Sequence, residues 1–205
     1  MMFTLSKFVF LVFLFGILSI TAYTYKEFQR YSIEGTATAT AEKINSIARS
    51  IVTSSATSTS QEIILPSVLG TTTSFSAYVV RITKNDCTSP PCPDPGAVAF
   101  CIYTSREAAK PLEQGQPLSC RSFTFNPFRV NLYTNQGGTL ATGPQLSIIP
   151  EETQNLVLLK ETRCDGSDCY PVLCITGCKT SSTRGSCLDA MKGDGRGGSP
   201  NDCLG

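Results

Sequence analysis

The stretch Phe8-Val-Phe-Leu-Val-Phe-Leu-Phe-Gly-Ile-Leu-Ser-Ile-Thr-Ala-Tyr23 decides how the rest of the chain must be read. Between Phe3 and Tyr25 its only charge is Lys7. About 20 such residues, rising 1.5 Å each as a helix, span about 30 Å, the thickness of a bilayer core. The helical pattern then continues in a different composition. Lys26, Glu27, Gln29, Arg30, Glu34, Glu42, Lys43 and Arg49 mark a polar face. Phe28, Tyr31, Ala37, Ala41, Ile44, Ile47, Ala48, Ile51 and Val52 recur at steps of three and four as an apolar stripe. The expectation is one helix over residues 1–53, apolar all round in its first half and amphipathic in its second. Gly16 and Gly35 are its expected weak points.

Outward from that helix, residues 54–61 are rich in Ser and Thr and read as a linker, and residues 62–205 read as a head. From Glu62 the period changes from 3.6 to 2. Expected strands are Glu62–Leu65, Ser74–Thr83, Ala97–Tyr103, Arg121–Phe125, Phe128–Thr134, Leu146–Ile149, Leu156–Glu161 and Tyr170–Thr176. Turn chemistry at Leu69-Gly70, Pro95-Gly96, Gln136-Gly-Gly138 and Asp165-Gly166 bounds them. Short strands with no helical pattern between them predict an antiparallel β-sandwich, so the fold class is α+β.

Ten cysteines, Cys87, Cys92, Cys101, Cys120, Cys164, Cys169, Cys174, Cys178, Cys187 and Cys203, all follow the helix. An even number confined to one side of an apolar span predicts a disulfide framework in an oxidising compartment, and places the head outside the membrane. Charge flanks do not orient the span, since Lys7 precedes it while Lys26 and Arg30 follow it. Cleavage as a secretory signal after Ala22 would put Ile20 where a small residue is preferred, so retention of the segment is expected.

Composition closes off most chemistry. The net charge is +1 and 16% of residues are charged, so no electrostatic footprint points to nucleic acid. There is no histidine, which removes the commonest general base and metal ligand, and isolated serines give no triad. Cys164, Cys169, Cys174 and Cys178 lack the spacing of paired zinc knuckles, and disulfides are the better reading. Asp165, Asp168 and the Asp194–Asp202 stretch offer oxygen ligands without the regular alternation of a calcium loop. Gly193-Asp-Gly-Arg-Gly-Gly198 neither follows a strand nor opens a helix, so it is no nucleotide loop. The chain therefore reads as a non-enzyme with no cofactor and no metal.

The layout resembles the type IV pilin superfamily, and more closely its archaeal pilin and flagellin-like branch. The residues that carry the resemblance are the apolar helix Phe3–Tyr23, its continuation Ala41-Glu-Lys-Ile-Asn-Ser-Ile-Ala-Arg-Ser-Ile51, and Glu62-Ile-Ile-Leu-Pro-Ser-Val-Leu-Gly followed by Phe75-Ser-Ala-Tyr-Val-Val-Arg-Ile82. Bacterial relatives begin the mature chain with an aromatic residue and carry Glu at its fifth position. Counting from Phe3, this chain has Lys7 there, and no short basic leader stands before Phe3.

The resemblance implies a subunit that is membrane-inserted before assembly, handled by pilus assembly machinery, and then polymerised with itself into a surface filament for adhesion or motility. The assembly residues would be Phe3, Phe8, Phe10, Leu11, Phe13, Leu14, Phe15, Ile17, Leu18 and Ile20. A single-pass anchored binding domain that never polymerises is the second expectation, and a secreted hydrolase, for which no residues can be named, the third.

Overall fold

The computed structural model describes residues 2–71, 74–84, 97–110, 114–125, 129–136, 139–150, 154–165 and 168–179. Its first element is a helix, α1 (Met2–Thr53), continuous over 52 residues. No proline occurs before Pro66, and neither Gly16 nor Gly35 interrupts the helix. Its threonines do not fray it either. Thr24, Thr36, Thr40 and Thr53 donate their hydroxyls back to carbonyls one turn earlier, so these donors are satisfied within the helix itself.

Among the described residues, the head holds the strands β1 (Thr59–Ile63), β2 (Leu69–Thr71), β3 (Ser74–Ser76), β4 (Tyr78–Lys84), β5 (Ala97–Thr104), the short α-helix α2 (Ser105–Ala108), and the strands β6 (Ser119–Thr124), β7 (Arg129–Gln136), β8 (Thr139–Gly143), β9 (Gln145–Ile148), β10 (Gln154–Asp165) and β11 (Asp168–Lys179). They form a five-stranded sheet in the order β1-β10-β11-β7-β8, a four-stranded sheet β6-β5-β4-β9, and a ribbon β2-β3. The chain is α+β: a long apolar N-terminal helix followed by antiparallel-rich sheets.

Several sequence-based boundaries move. The expected linker 54–61 is shorter, because Thr59, Ser60 and Gln61 pair with β10 as part of β1. The expected strand 74–83 divides at Ala77, whose carbonyl accepts the amide of Ser105 at 3.1 Å. Leu69-Gly70 was expected as a turn but belongs to β2, where Gly70 adopts φ 105°, a backbone that other residues rarely take. The short helix α2 and the strand β8 were not expected at all. The antiparallel expectation fails at one point: β7 and β11 run parallel, Val172 level with Arg129 and Thr176 level with Tyr133. Between them the chain passes through β8, crosses to the other sheet as β9 and returns as β10, which supplies the crossover a parallel pair requires.

The core explains why the helix is half attached. Ala37, Ala41, Ile44, Ala48 and Ile51 of α1 are fully buried. They share one apolar cluster with Val80, Ile82, Phe100 and Ile102 of the four-stranded sheet and with Ile63, Leu156, Leu158, Leu173 and Ile175 of the five-stranded sheet. Ile33, Ile47 and Val52 pack at its margin. Phe28 and Tyr31, expected in the same stripe, are instead exposed at 61% and 71%.

The five-stranded sheet is buried on both faces. A second cluster of Tyr133, Val157, Leu159, Val172, Cys174 and Cys178 lines its other side. That is why Leu156-Val-Leu-Leu159 and Val172-Leu-Cys-Ile175 read as continuous apolar runs without alternation. Tyr78 is fully buried, and its hydroxyl donates to the Pro66 carbonyl at 2.6 Å. Burial pushes the Tyr78 phenol well above its ordinary range.

Two outcomes follow for the detergent-solubilised full chain. Ile44→Ala should lower unfolding stability by about 2–5 kcal/mol in a denaturant titration, as for other buried aliphatic truncations. Because the folded state holds the Tyr78 phenol protonated, its contribution is complete below the unfolded value near pH 10. Above that pH stability should fall by about 1.4 kcal/mol per pH unit from this group, and Tyr78→Phe should remove that share of the slope in short alkaline unfolding assays.

Candidate functional site: the exposed apolar half of the helix

From Phe8 to Ile20 the helix is exposed along its whole length, with no described residue of the head packed on it. Phe8, Phe10, Phe13, Phe15 and Ile20 are each exposed to about the same degree, from 64% to 67%. Leu11, Leu14, Ile17 and Leu18 are also exposed, with Leu14 least so at 38%. Phe3 lies within α1, in a part whose side chains are outside the described residues. These side chains point in all directions around the axis, so no rotation of the helix hides them from water. By length and composition this helix is able to cross a membrane.

The free segment ends in a short charged belt. Arg30 donates through Nε to Glu34 Oε1 at 2.8 Å, and the Glu34 carboxylate holds the guanidinium above its ordinary range. Both groups are open to solvent, so the pair contributes little to stability. It does fix a polar boundary between the bare half of the helix and the half that carries the head.

The attachment beyond that boundary is secured by contacts that composition does not reveal. Lys160 follows Leu156 and Leu158 on the inward face of β10 and is only 8% exposed. Its ammonium donates to the carbonyls of Val52 and Ser54, at 3.3 and 2.5 Å. These carbonyls belong to the C-terminal end of α1, which is short of donors and carries the negative end of the helix dipole. Arg121 of β6 donates to Glu42 at 3.0 Å. Arg49 lies over the Phe123 ring at 5.0 Å, and Phe123 meets Phe125 edge-on at 4.5 Å between ring centres. The one sequence signal for Lys160 is that it continues the alternation Leu156, Leu158 on the inward face.

Elsewhere in the head, Arg81 of β4 is buried at 7% exposure. It donates to the Ala108 carbonyl at 2.8 Å and stacks on Tyr103, with 4.9 Å from guanidinium carbon to ring centre. Its Nε and Nη1 have no hydrogen-bond partner, and both are closed to solvent. On the neighbouring turn, Glu107 accepts from Lys110 and from the Gln116 amide, which together hold its carboxyl below the ordinary range.

The cysteines are placed as follows. Cys101 and Cys120 stand opposite each other in β5 and β6 and form a disulfide, with Cα atoms 4.1 Å apart. Cys169, Cys174 and Cys178 are also disulfide-bonded, so their thiolates are not available to a metal. Cys164 stands opposite Cys169 in the β10–β11 register. All four cysteines of this group sit on the hairpin β10–β11; the C-terminal part from residue 180, expected to be irregular, lies outside the described residues. Cys87, Cys92, Cys187 and Cys203 lie outside the described residues, as does the Asp194–Asp202 stretch. Among the described residues, no group of three or more Cys, Asp or Glu side chains is placed to hold a metal ion. Asp165 and Asp168 are opposite each other in the β10–β11 register.

No family model, curated protein or solved structure matches this chain.

The Cys101–Cys120 bridge closes a loop with a sequence separation of 19. Replacing both residues by Ala should cost about 3 kcal/mol of unfolding stability, the scale expected for loops of this size. Calorimetry or denaturant titration of the solubilised chain with its other bridges intact measures this.

Proposed function

We propose that this chain is a structural subunit of an extracellular, type IV pilus-like filament, polymerised through its N-terminal helix. The observation that carries the proposal is the bare apolar segment. Phenylalanines and aliphatic side chains surround the helix from Phe8 to Ile20, while the head buries only the stripe that begins near Ile33. Before assembly, lipid covers this surface. Afterwards neighbouring copies cover it, at about 25 cal/mol for each Å² that water would otherwise wet. Identical subunits joined through different patches make an open helical polymer, and the head, fixed to one side of the second half of α1, would coat its outside.

A disulfide-rich sandwich suits this role. Two sheets and the helix share one core, and cross-strand bridges such as Cys101–Cys120 brace a small domain exposed to an oxidising exterior. In this reading the head presents the adhesive or motile surface and carries no catalytic site. The same apolar length also supports a second reading, a single-pass anchored adhesion domain that stays monomeric.

Shearing cells separates the two, since only the polymer enters the supernatant as long filaments. Phe10→Asp should abolish filaments in negative-stain images while leaving the head folded, as judged by its disulfides and protease resistance. Normal filaments from that variant would contradict the proposal.

A further inference from the structure

The charges on α1 are few enough to fix how two copies meet. Lys7 is the only charge between Phe3 and Tyr25, and it is exposed, with no partner among the described residues. Once neighbouring chains replace lipid around it, a buried ammonium needs an acid. The helix offers three. Glu34 is taken up by Arg30 at 2.8 Å and Glu42 by Arg121 at 3.0 Å. Glu27 makes no ion pair within 4.0 Å among the described residues, and its charge acts on Arg30 only at longer range, behind Glu34.

Glu27 lies about 20 residues beyond Lys7, or about 30 Å along the axis. About 20 residues at about 100° each also turn the helix through five whole turns plus about 200°. A residue and its counterpart 20 positions on therefore point in nearly opposite directions. Two copies related by an axial slide of that length, with no rotation, face each other through these two surfaces.

The surfaces are complementary beyond the charges. The slide brings Phe8 level with Phe28, Leu11 with Tyr31, and Phe15 with Gly35. All five of these aromatic and aliphatic side chains are exposed, from 52% at Leu11 to 71% at Tyr31. A Cβ built on Gly35 would meet nothing within 4 Å, so the backbone there is open to the close approach of a neighbour's side chain. Phe28, Tyr31 and Gly35 of the receiving face lie about 110–170° around the helix from the buried stripe of Ala37, Ala41 and Ile44, with Glu27, partly exposed, at about 70°.

We infer that the partner of the Glu27–Phe28–Tyr31–Gly35 face is a second copy of this chain, displaced by about 30 Å along the helix axis, with Lys7 of one copy paired to Glu27 of the other. The inference rests on the filament reading, and it specifies the contact that sets the stagger between helices. It also accounts for Phe28 and Tyr31, two large aromatic side chains that lie beyond the bilayer-length span and off the head.

The test uses the full chain in its native cells, scored by sheared filament yield. Lys7→Glu should reduce filaments at least tenfold, as should Glu27→Lys, and the two together should restore them to within about twofold of the parent. Lys7→Glu filaments at parental yield would overturn the pairing, as would a failure of the double exchange to restore them. A helical reconstruction of the unaltered filament decides independently of any variant. Lys7 of one copy within ion-pair distance of Glu27 of another, and Phe15 seated at Gly35, supports the inference. Lys7 facing lipid, solvent or a different acid overturns it. If the unaltered chain forms no filaments at all, the filament reading itself fails, a result distinct from filaments built with another register.

Discussion

One constraint governs this molecule: about 30 Å of helix is apolar around its whole circumference, and the head is attached too far along to cover it. Folding of the single chain cannot satisfy this surface. Among the described residues, the apolar contact with the head runs through Ala37, Ala41, Ile44, Ala48 and Ile51, well beyond that surface. By length and composition this surface is able to cross a membrane, and in the proposed reading lipid covers it first and other copies afterwards. The rest of the structure serves to hold a folded head rigidly on a rod that continues past it.

That rigidity comes from three kinds of contact acting on one helix. Small and β-branched side chains let the sheets approach the rod closely. Glu42 and Arg49 tie its outer flank to Arg121 and Phe123 of β6. Lys160 reaches from β10 to the terminal carbonyls, where a cation meets both unsatisfied acceptors and the dipole. Because attachment begins near Ile33, the charged belt at Arg30 and Glu34 marks where the packed half gives way to the bare half.

Much of this was legible in the residues. The helix, its change of character after Tyr25, and most strands of the head followed from periodicity alone, since Ile44, Ala48 and Ile51 keep helical spacing and Phe100 and Ile102 keep strand spacing. The misses have physical causes. Phe28 and Tyr31 were grouped with the buried stripe because they are apolar and three residues apart, but at about 100° per residue they lie on the other side of the helix from Ala37, Ala41 and Ile44. The parallel neighbour relation of β7 and β11 depends on long-range pairing that no local pattern encodes. Lys160 and Arg81 fall inside expected strands, but no local signal marks them as buried charges; only the tertiary fold does. The hairpin β10–β11 was underestimated in length because its ends, such as Thr162–Asp165 and Gly177–Lys179, carry few apolar residues, and only their pairing with each other makes them strand. Of the candidate site, the apolar residues were plain from composition, but which cysteines lie opposite each other required the sheet register.

The central claim is that the bare helix exists to be covered by other copies of itself. Negative-stain microscopy with intact-mass analysis of material sheared from native cells tests it most directly. The account predicts long filaments made of a chain that keeps its N-terminal apolar residues. A folded monomer that stays with the membrane after shearing, with no filaments in the supernatant, would contradict it.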